Sequence, residues 1–255
     1  MEEFLSEGVG IAYVVFEPRE QDRNEPIVLI HGFASTHAVN WLFNQWAKTL
    51  TEDGRRVVMF DLRGHGRSQK LYEPQAYGFD LMAEDTRRLM DHLGMERADL
   101  MGYSMGGRVA TQLTLTYPDR VRSLIMGGVG SSLLAPTALQ PGMAEAMEAE
   151  EIQDIDDHSL KIFRGFAEST RSDLKALAAC ARGVRPTFGP QDLGRIETPT
   201  LICAGTRDDV AGDPHPLGNL FPQADVVDIP GRDHNRAVGD RVFKQAVLEF
   251  LAARP

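Results

Sequence analysis

The sequence predicts an α/β protein with a mostly parallel sheet that is interrupted once by a helical segment. Short apolar runs, typical of strands buried on both faces, alternate with amphipathic helical patterns in the first half of the chain. From residue 131 to 198 the strand pattern stops and helical patterns replace it. We therefore expect a core domain formed by 1–130 and 199–255, and a helical cap formed by 131–198. Such a cap follows the carboxyl end of a strand, where open α/β sheets bind ligands.

The individual elements are assigned from their apolar spacing and from the residues that flank them. The predicted strands are Gly10–Phe16, as part of an N-terminal hairpin, Pro26–Ile30, Arg56–Phe60, Ala98–Tyr103, Val121–Met126, Pro199–Ala204 and Ala224–Ile229. The predicted helices are Trp41–Leu50, Phe79–Leu93, Met105–Tyr117, His158–Ala167, Ser172–Ala181 and Asp240–Ala253. Gly94 is expected to cap the second helix, and Pro118 to end the third.

Composition excludes several classes of protein. The 255 residues carry 27 basic and 37 acidic side chains, a formal charge of −10. This balance argues against a nucleic-acid-binding protein and against docking on anionic membranes. The N-terminus is acidic and lacks an apolar core segment, so we expect no signal peptide. The uncharged run Ser123–Ala144 is too rich in Gly and Pro for the membrane helix that its length would otherwise allow. Cytoplasm is the expected location.

The two cysteines, Cys180 and Cys203, lie in apolar surroundings and predict buried, reduced thiols. They do not form a disulfide framework. His215 lies close to Asp213, but the pair lacks the spacing of a metal site. We therefore expect no metal site. Oligomeric state is not predicted.

The segment Gly102-Tyr103-Ser104-Met105-Gly106 follows a predicted strand and opens a predicted helix, the context that a G-x-S-x-G motif requires. Glycines two positions before and after the serine remove side chains that would collide in so tight a turn. The turn raises the Ser104 hydroxyl above the edge of the sheet. The N–H groups at the start of the helix favour negative charge at the same point. Ser104 is therefore a candidate nucleophile.

A serine hydroxyl needs a general base to act as a nucleophile, and a carboxylate to orient that base. Three of the seven histidines follow Ser104, and His234 lies in a loop directly after the last predicted strand. His158 lies within the helical segment. The loop after the preceding strand offers Asp208, Asp209 and Asp213 as the acid.

Taken together, these motifs resemble the α/β-hydrolase family, with its lidded serine carboxylesterases most similar. Five motifs occur in the family's order: His31-Gly32-Phe33, Asp61-Leu62-Arg63-Gly64-His65-Gly66-Arg67-Ser68, the turn at Ser104, Gly205-x-x-Asp208 and Gly231-x-x-His234. The resemblance implies an eight-stranded, mostly parallel sheet flanked by helices with an inserted cap.

The resemblance also implies roles for residues. Ser104 would be the nucleophile, His234 the base and Asp208 the acid, with Asp209 as the rival. The backbone N–H groups of Phe33 and Met105 would form the oxyanion hole.

For other residues of these motifs the resemblance implies structural roles. His31 and His65 would hold loops, and Arg63 and Arg67 would tie loops together through hydrogen bonds. His37 is expected either to line the pocket or to lie on the surface.

The reaction implied is hydrolysis of a small or medium carboxylic ester through an acyl-enzyme, for which no cofactor is required. Alternatives are a C–C bond hydrolase, a cofactor-free perhydrolase, or a non-catalytic ligand-binding receptor. Phe33 and Tyr103 stand where such perhydrolases often carry Trp and Phe, which disfavours that alternative. Ser104 argues against dehalogenases and epoxide hydrolases, which use an Asp nucleophile. The cap residues Phe163, Phe166, Leu174 and Leu177 are expected to face either the pocket or the core.

Overall fold

The computed structural model of the chain describes residues 1–19, 22–135, 139–183 and 186–254. The strands are β1 (Glu2–Ser6), β2 (Val9–Phe16), β3 (Ile27–Ile30), β4 (Val57–Phe60), β5 (Ala98–Tyr103), β6 (Val121–Gly127), β7 (Thr200–Gly205) and β8 (Ala224–Ile229). They form one eight-stranded sheet in the order β1-β2-β4-β3-β5-β6-β7-β8. The predicted N-terminal hairpin is present as β1 and β2. β2 also pairs antiparallel with β4, and the other pairs are parallel, so the predicted sheet is confirmed.

The helices lie around this sheet. They are α1 (Trp46–Glu52), α2 (Phe79–His92), α3 (Met105–Thr116), α4 (Met143–Glu148), α5 (His158–Ser169), α6 (Leu174–Arg182), α7 (Pro190–Leu193), α8 (Pro214–Gly218), α9 (His234–Ala237) and α10 (Arg241–Ala253). Gly94 has a φ of +67° just beyond α2, as its predicted capping role requires. None of the helices within the described residues is long and apolar enough to cross a lipid bilayer.

Two hydrophobic cores, one on each face of the sheet, explain why the central strands are apolar runs rather than alternating patterns. In β3, Val28 and Ile30 belong to one core, whereas Ile27 and Leu29 belong to the other. All four side chains have no solvent-exposed surface. Because side chains alternate across a strand, a strand buried on both faces must be apolar throughout.

The prediction of a single helix over Trp41–Leu50 is wrong. A π-helical turn at Ala38–Leu42 is followed by Gln45 with a φ of +63°, and α1 begins only at Trp46. On a straight α-helix, the side chains of Trp41 and Trp46 would point about 140° away from each other, because they are five residues apart. The break instead lets Trp41 and Trp46 meet edge to face in one core, with Trp46 Nε1 donating to the carbonyl oxygen of Val238 at 2.7 Å.

Between β6 and β7 the described residues form helices α4 to α7 and two short 3₁₀ turns, Ser131–Leu134 and Ile152–Asp154. The two helices predicted in this segment are both present, with ends shifted by a few residues. Residues 136–138 and 184–185 of the predicted cap lie outside the described residues. The segment contacts the core at a loop near the site, because the Thr170 hydroxyl donates to the carbonyl oxygen of Ala34 at 2.9 Å.

The strand register brings the chemistry-bearing loops to one edge of the sheet. Ile30 at the end of β3 pairs with Gly102 of β5, and Gly127 of β6 pairs with Cys203 of β7. Because the central strands are parallel, the loops that follow them all leave from their carboxyl ends. Ser104 and the loops that contain Phe33 and Asp208 therefore lie close together.

Candidate active site

Ser104 occupies a strained turn between β5 and α3. Its backbone has a φ of +54° and a ψ of −117°, a conformation that costs free energy for any residue other than glycine. Neighbouring strands hold it in place, since the Ser104 N–H donates to the carbonyl oxygen of Gly127 at 2.8 Å. The predicted strand–turn–helix context of the serine is confirmed.

The glycines that flank Ser104 are required by close backbone contacts. A Cβ on Gly102 would lie 2.2 Å from the carbonyl oxygen of Gly106, and a Cβ on Gly106 would lie 2.0 Å from that of Ile30. Carbon atoms cannot approach backbone oxygen so closely. The motif spacing therefore follows from the packing of α3 against β3 and β5.

His234 lies between the candidate nucleophile and the candidate acid. Its Nε2 is 3.0 Å from Ser104 Oγ, and its Nδ1 lies 2.8 and 2.9 Å from the two carboxylate oxygens of Asp208. Asp208 is 5% exposed, and its Oδ1 also accepts hydrogen bonds from the backbone N–H groups of Val210 and Ala211. The structure thus brings together the three side chains proposed from sequence.

The rival carboxylates are directed elsewhere. Asp209 is exposed at the mouth of the cavity that contains Ser104. Asp213 caps α8, since its carboxylate accepts the backbone N–H of His215 at 3.0 Å. Of the three candidates in this loop, Asp208 is the one that contacts His234.

The two predicted oxyanion donors also lie beside Ser104. Met105 is the first residue of α3, so its N–H has no intrahelical acceptor. Phe33 follows Gly32, where a Cβ would lie 3.3 Å from Ser104 Cβ. Within the described ranges, the backbone N–H groups of Phe33 and Met105 have no hydrogen-bond acceptor in the protein.

The loop that contains Phe33 is held by a buried network centred on Asp61. One oxygen of Asp61 accepts both the backbone N–H and the Nδ1–H of His37 at 2.8 Å, and the other accepts the N–H of Arg67 at 2.8 Å. Although burial raises the pKa of Asp61, these bonds and the nearby His31 lower it well below its ordinary value. His37 is 8% exposed, so the surface alternative predicted for it is wrong. Among the described residues, it is not one of those that line the cavities at Ser104.

His31 and His65 contact each other and are fully buried. His31 Nε2 accepts the Leu62 N–H at 3.0 Å, so its proton lies on Nδ1, which donates to the carbonyl oxygen of Gly32. Burial lowers the pKa of His31. Burial, with a smaller effect of His31, lowers the pKa of His65 to about 3. Both are therefore neutral side chains that hold loops, as the resemblance implies.

The predictions for arginine, cysteine and metal ligands have distinct outcomes. Arg63 forms two hydrogen bonds with Asp85 of α2, at 2.7 and 2.8 Å, and another with the Ala76 carbonyl, so it ties its loop to a helix as well as to the segment before that helix. Arg67 contacts Asp61 through its backbone N–H. Cys180 and Cys203 are both buried, as predicted. In the part of the chain that the structure describes, no three His, Cys, Asp or Glu side chains are grouped as metal ligands.

Helix α5 supplies the wall of the cavity above Ser104. Phe163 and Phe166 line this cavity, whereas Leu174 and Leu177 pack in the core. His158, the first residue of α5, also lines the cavity, which the sequence reasoning missed. The apolar spacing of α5 identifies a buried face but does not distinguish a pocket from a core.

Comparisons with known proteins agree with this fold. The family model described as the alpha/beta hydrolase fold matches residues 25–183. The dihydrolipoyllysine-residue acetyltransferase component of the acetoin cleaving system of Pseudomonas putida is 32% identical, over 89% of this chain and 63% of the relative. The chain thus spans less than two thirds of that relative's length.

Two further comparisons cover more of the matched protein. A 2-hydroxy-6-oxononadienedioate/2-hydroxy-6-oxononatrienedioate hydrolase of Klebsiella pneumoniae is 31% identical, over 73% of this chain and 72% of the relative. The crystal structure of a hydrolase from Pseudomonas aeruginosa superposes with a TM-score of 0.79 at 25% identity, covering 99% of this chain and 98% of that one. From the family match, these relatives and the shared architecture, we conclude that the chain belongs to the α/β-hydrolase family.

Proposed function

We propose that the protein is a serine hydrolase that cleaves a small or medium carboxylic ester through an acyl-enzyme. The observation that carries this proposal is the continuous line of hydrogen bonds from Ser104 through His234 to Asp208. A histidine so placed can take a proton on Nε2 while its Nδ1–H is held by a carboxylate.

In the first half of the proposed reaction, Ser104 Oγ attacks the carbonyl carbon of the ester. A C–O bond forms, the hydroxyl proton moves to His234 Nε2, and the π electrons of the carbonyl move to its oxygen. The N–H groups of Phe33 and Met105 stabilise this oxyanion, an effect worth about 3–4 kcal/mol for each donor in well-studied enzymes. The tetrahedral intermediate then breaks its bond to the alcohol oxygen, which leaves with the proton from His234.

In the second half, water attacks the acyl-enzyme while His234 takes one of its protons. Collapse of this intermediate breaks the bond to Ser104 Oγ, which regains the proton from His234 as the carboxylic acid leaves. Asp208 stabilises the imidazolium that forms in both halves. Besides the ester and water, these steps use side chains and backbone groups of this chain.

We further propose that residues 131–198 act as a cap over this site. Support comes from α5, whose Phe163 and Phe166 line the cavity, and from the contact between Thr170 and the Ala34 carbonyl. We retain the cytoplasm as the proposed location.

Hydrolysis of a C–C bond next to a carbonyl is the second candidate function. It is supported by the 31% identity to a hydrolase of 2-hydroxy-6-oxononadienedioate. The same serine, histidine and oxyanion donors would serve either reaction.

Steady-state assays with short p-nitrophenyl esters and with a 2-hydroxy-6-oxo-dienoate, using wild-type protein and Ser104→Ala, test the proposal. We expect the wild type to hydrolyse the esters and Ser104→Ala to be inactive but folded. Turnover of the dienoate alone would favour the second candidate. Equal ester turnover by both proteins would refute the role of Ser104.

A further inference from the structure

Two cavities meet at Ser104. One has a volume of about 300 Å³ and the other of about 630 Å³. Ser104, Ser159, Phe163, Asp209 and Val210 line both of them. Ser159 and Phe163 are one turn apart on α5, so this helix forms a shared wall between the two spaces.

The two cavities differ in which parts of the catalytic machinery they contain. Phe33, which carries an oxyanion donor, and His234 line the larger cavity. Among the described residues, neither of them lines the smaller cavity, whose walls include Val129, Leu139 and Met143. The smaller cavity is therefore reached from Ser104 on the side away from the base.

A tetrahedral intermediate on Ser104 has three further substituents, and two of them have fixed directions. The oxyanion points to the N–H groups of Phe33 and Met105. The leaving oxygen must lie next to His234 Nε2, because it receives the proton from that atom. The acyl chain takes the remaining direction.

From this geometry, and resting on the proposed ester hydrolysis, we propose that the smaller cavity binds the acyl chain and the larger cavity binds the alcohol. The substrate class is then an ester of an apolar acid of up to medium chain length with a bulkier alcohol. A cavity of about 150 Å³ can hold benzene, so the smaller cavity, of about 300 Å³, holds an acyl chain of about eight to ten non-hydrogen atoms.

Several residues that line the smaller cavity are apolar, which suits an apolar acyl chain. Val129 and Met143 are each 2% exposed, and Leu139 is partly buried against the same core. Arg108 also lines this space, and its guanidinium donates to the backbone carbonyl oxygens of Ser132 and Leu133. Those bonds brace the loop that forms the wall.

Tryptophan substitutions that fill one cavity at a time test the assignment. Leu139→Trp narrows the smaller cavity, and Ile162→Trp narrows the larger one, since Ile162 is 49% exposed and lines the larger cavity. Leu5→Trp is the matched control, because Leu5 is 70% exposed on β1 and lines neither cavity. All three are compared with wild type by thermal unfolding before assay.

Two ester series are used, p-nitrophenyl esters from acetate to decanoate and acetate esters from ethanol to octanol. We expect Leu139→Trp to reduce kcat/KM for octanoate relative to acetate by about tenfold or more. Ile162→Trp should reduce turnover of octyl relative to ethyl acetate, and Leu5→Trp should match wild type in both series. A Leu139→Ala variant, which cannot overfill the site, should accept longer acyl chains.

The outcomes separate this assignment from the proposed function on which it rests. If the wild type hydrolyses esters, but Leu139→Trp changes the alcohol preference and Ile162→Trp changes the acyl preference, the assignment of the two cavities is overturned. The proposed function would then stand. Unchanged acyl preference in both Leu139 variants would overturn the assignment as well. Absence of ester turnover in folded wild-type protein would overturn the proposed function, and the assignment with it.

Discussion

The hydroxyl of Tyr103 donates a hydrogen bond of 2.6 Å to the backbone carbonyl oxygen of His234. Strand β5, whose last residue Tyr103 precedes Ser104, is thereby tied directly to His234. Burial, together with the nearby Asp208 carboxylate, raises the pKa of Tyr103 well above its ordinary value, so the hydroxyl stays protonated and donates. The distance between His234 and Ser104 therefore depends on a residue that takes no part in proton transfer.

Replacing Tyr103 with Phe should weaken this link while keeping the ring that packs against His234. We expect a loss of about 1–2 kcal/mol in the free energy of unfolding and a several-fold fall in kcat. Urea unfolding and ester kinetics check both effects. Tyr72→Phe is the control, because the exposed Tyr72 hydroxyl bonds only to Asp173 among the residues described. Equal kcat in the two variants would contradict the proposed role of Tyr103.

Asparagine substitutions at Asp208 and Asp209 form a matched pair that tests which residue is the acid. Asp208→Asn should lower kcat by about 10³- to 10⁴-fold, because an amide in that position no longer holds the Nδ1–H tautomer of His234. Asp209→Asn should have a far smaller effect on kcat, since its carboxylate does not contact His234. Steady-state kinetics at one pH suffice. A larger loss of kcat in Asp209→Asn than in Asp208→Asn would show that Asp209 is the acid.

Gly106 and Gly165 test the packing argument for the serine turn. Gly106→Ala should lower the free energy of unfolding by more than about 3 kcal/mol or prevent folding, since the new Cβ would lie 2.0 Å from the carbonyl oxygen of Ile30. Gly165→Ala, inside α5 where the nearest atom lies at 3.5 Å, should instead stabilise the protein by up to about 1 kcal/mol. Circular dichroism during urea unfolding measures both. A Gly106→Ala protein as stable as wild type would contradict the steric account.

Buried neutral histidines should make the fold sensitive to acid. His65 has a pKa near 3 in the folded chain, below the value of 6.5 that applies when it is exposed. Between these values the unfolded chain binds the proton and the folded chain does not, so stability falls as pH drops below 6.5. Through this proton, His65 lowers the free energy of unfolding by up to about 1.4 kcal/mol for each pH unit of acidification.

Urea midpoints measured from pH 7.5 to 4.5 check this dependence. The comparison is between wild type and His65→Asn, which removes the titrating group while keeping a hydrogen-bond donor near the Arg63 carbonyl. The variant should lose stability less steeply with acid. Identical slopes for the two proteins would show that His65 does not contribute.

Much of this fold and site follows from local sequence patterns. Strands such as Ala98–Tyr103 are recognisable because burial on both faces requires an apolar run. Ser104, Asp208 and His234 are recognisable because each lies in a loop just after a strand, at a spacing that the turn geometry constrains.

What the sequence did not predict depends on contacts between distant segments. The break at Gln45 exists because Trp41 and Trp46 must reach one core, which no local periodicity encodes. The bond between His37 and Asp61 joins loops after two different strands. The place of His158 in the cavity depends on how α5 packs over the sheet. Tertiary packing decides all three.

Covalent labelling of Ser104 tests the central claim most directly. Wild-type protein is treated with a fluorophosphonate, a reagent directed at activated serines, and the adduct is located by peptide mass spectrometry. We predict one phosphonyl group per chain, on the peptide that contains Ser104, and none in Ser104→Ala. A folded wild-type protein that takes no label, or takes it on another residue, would contradict the account.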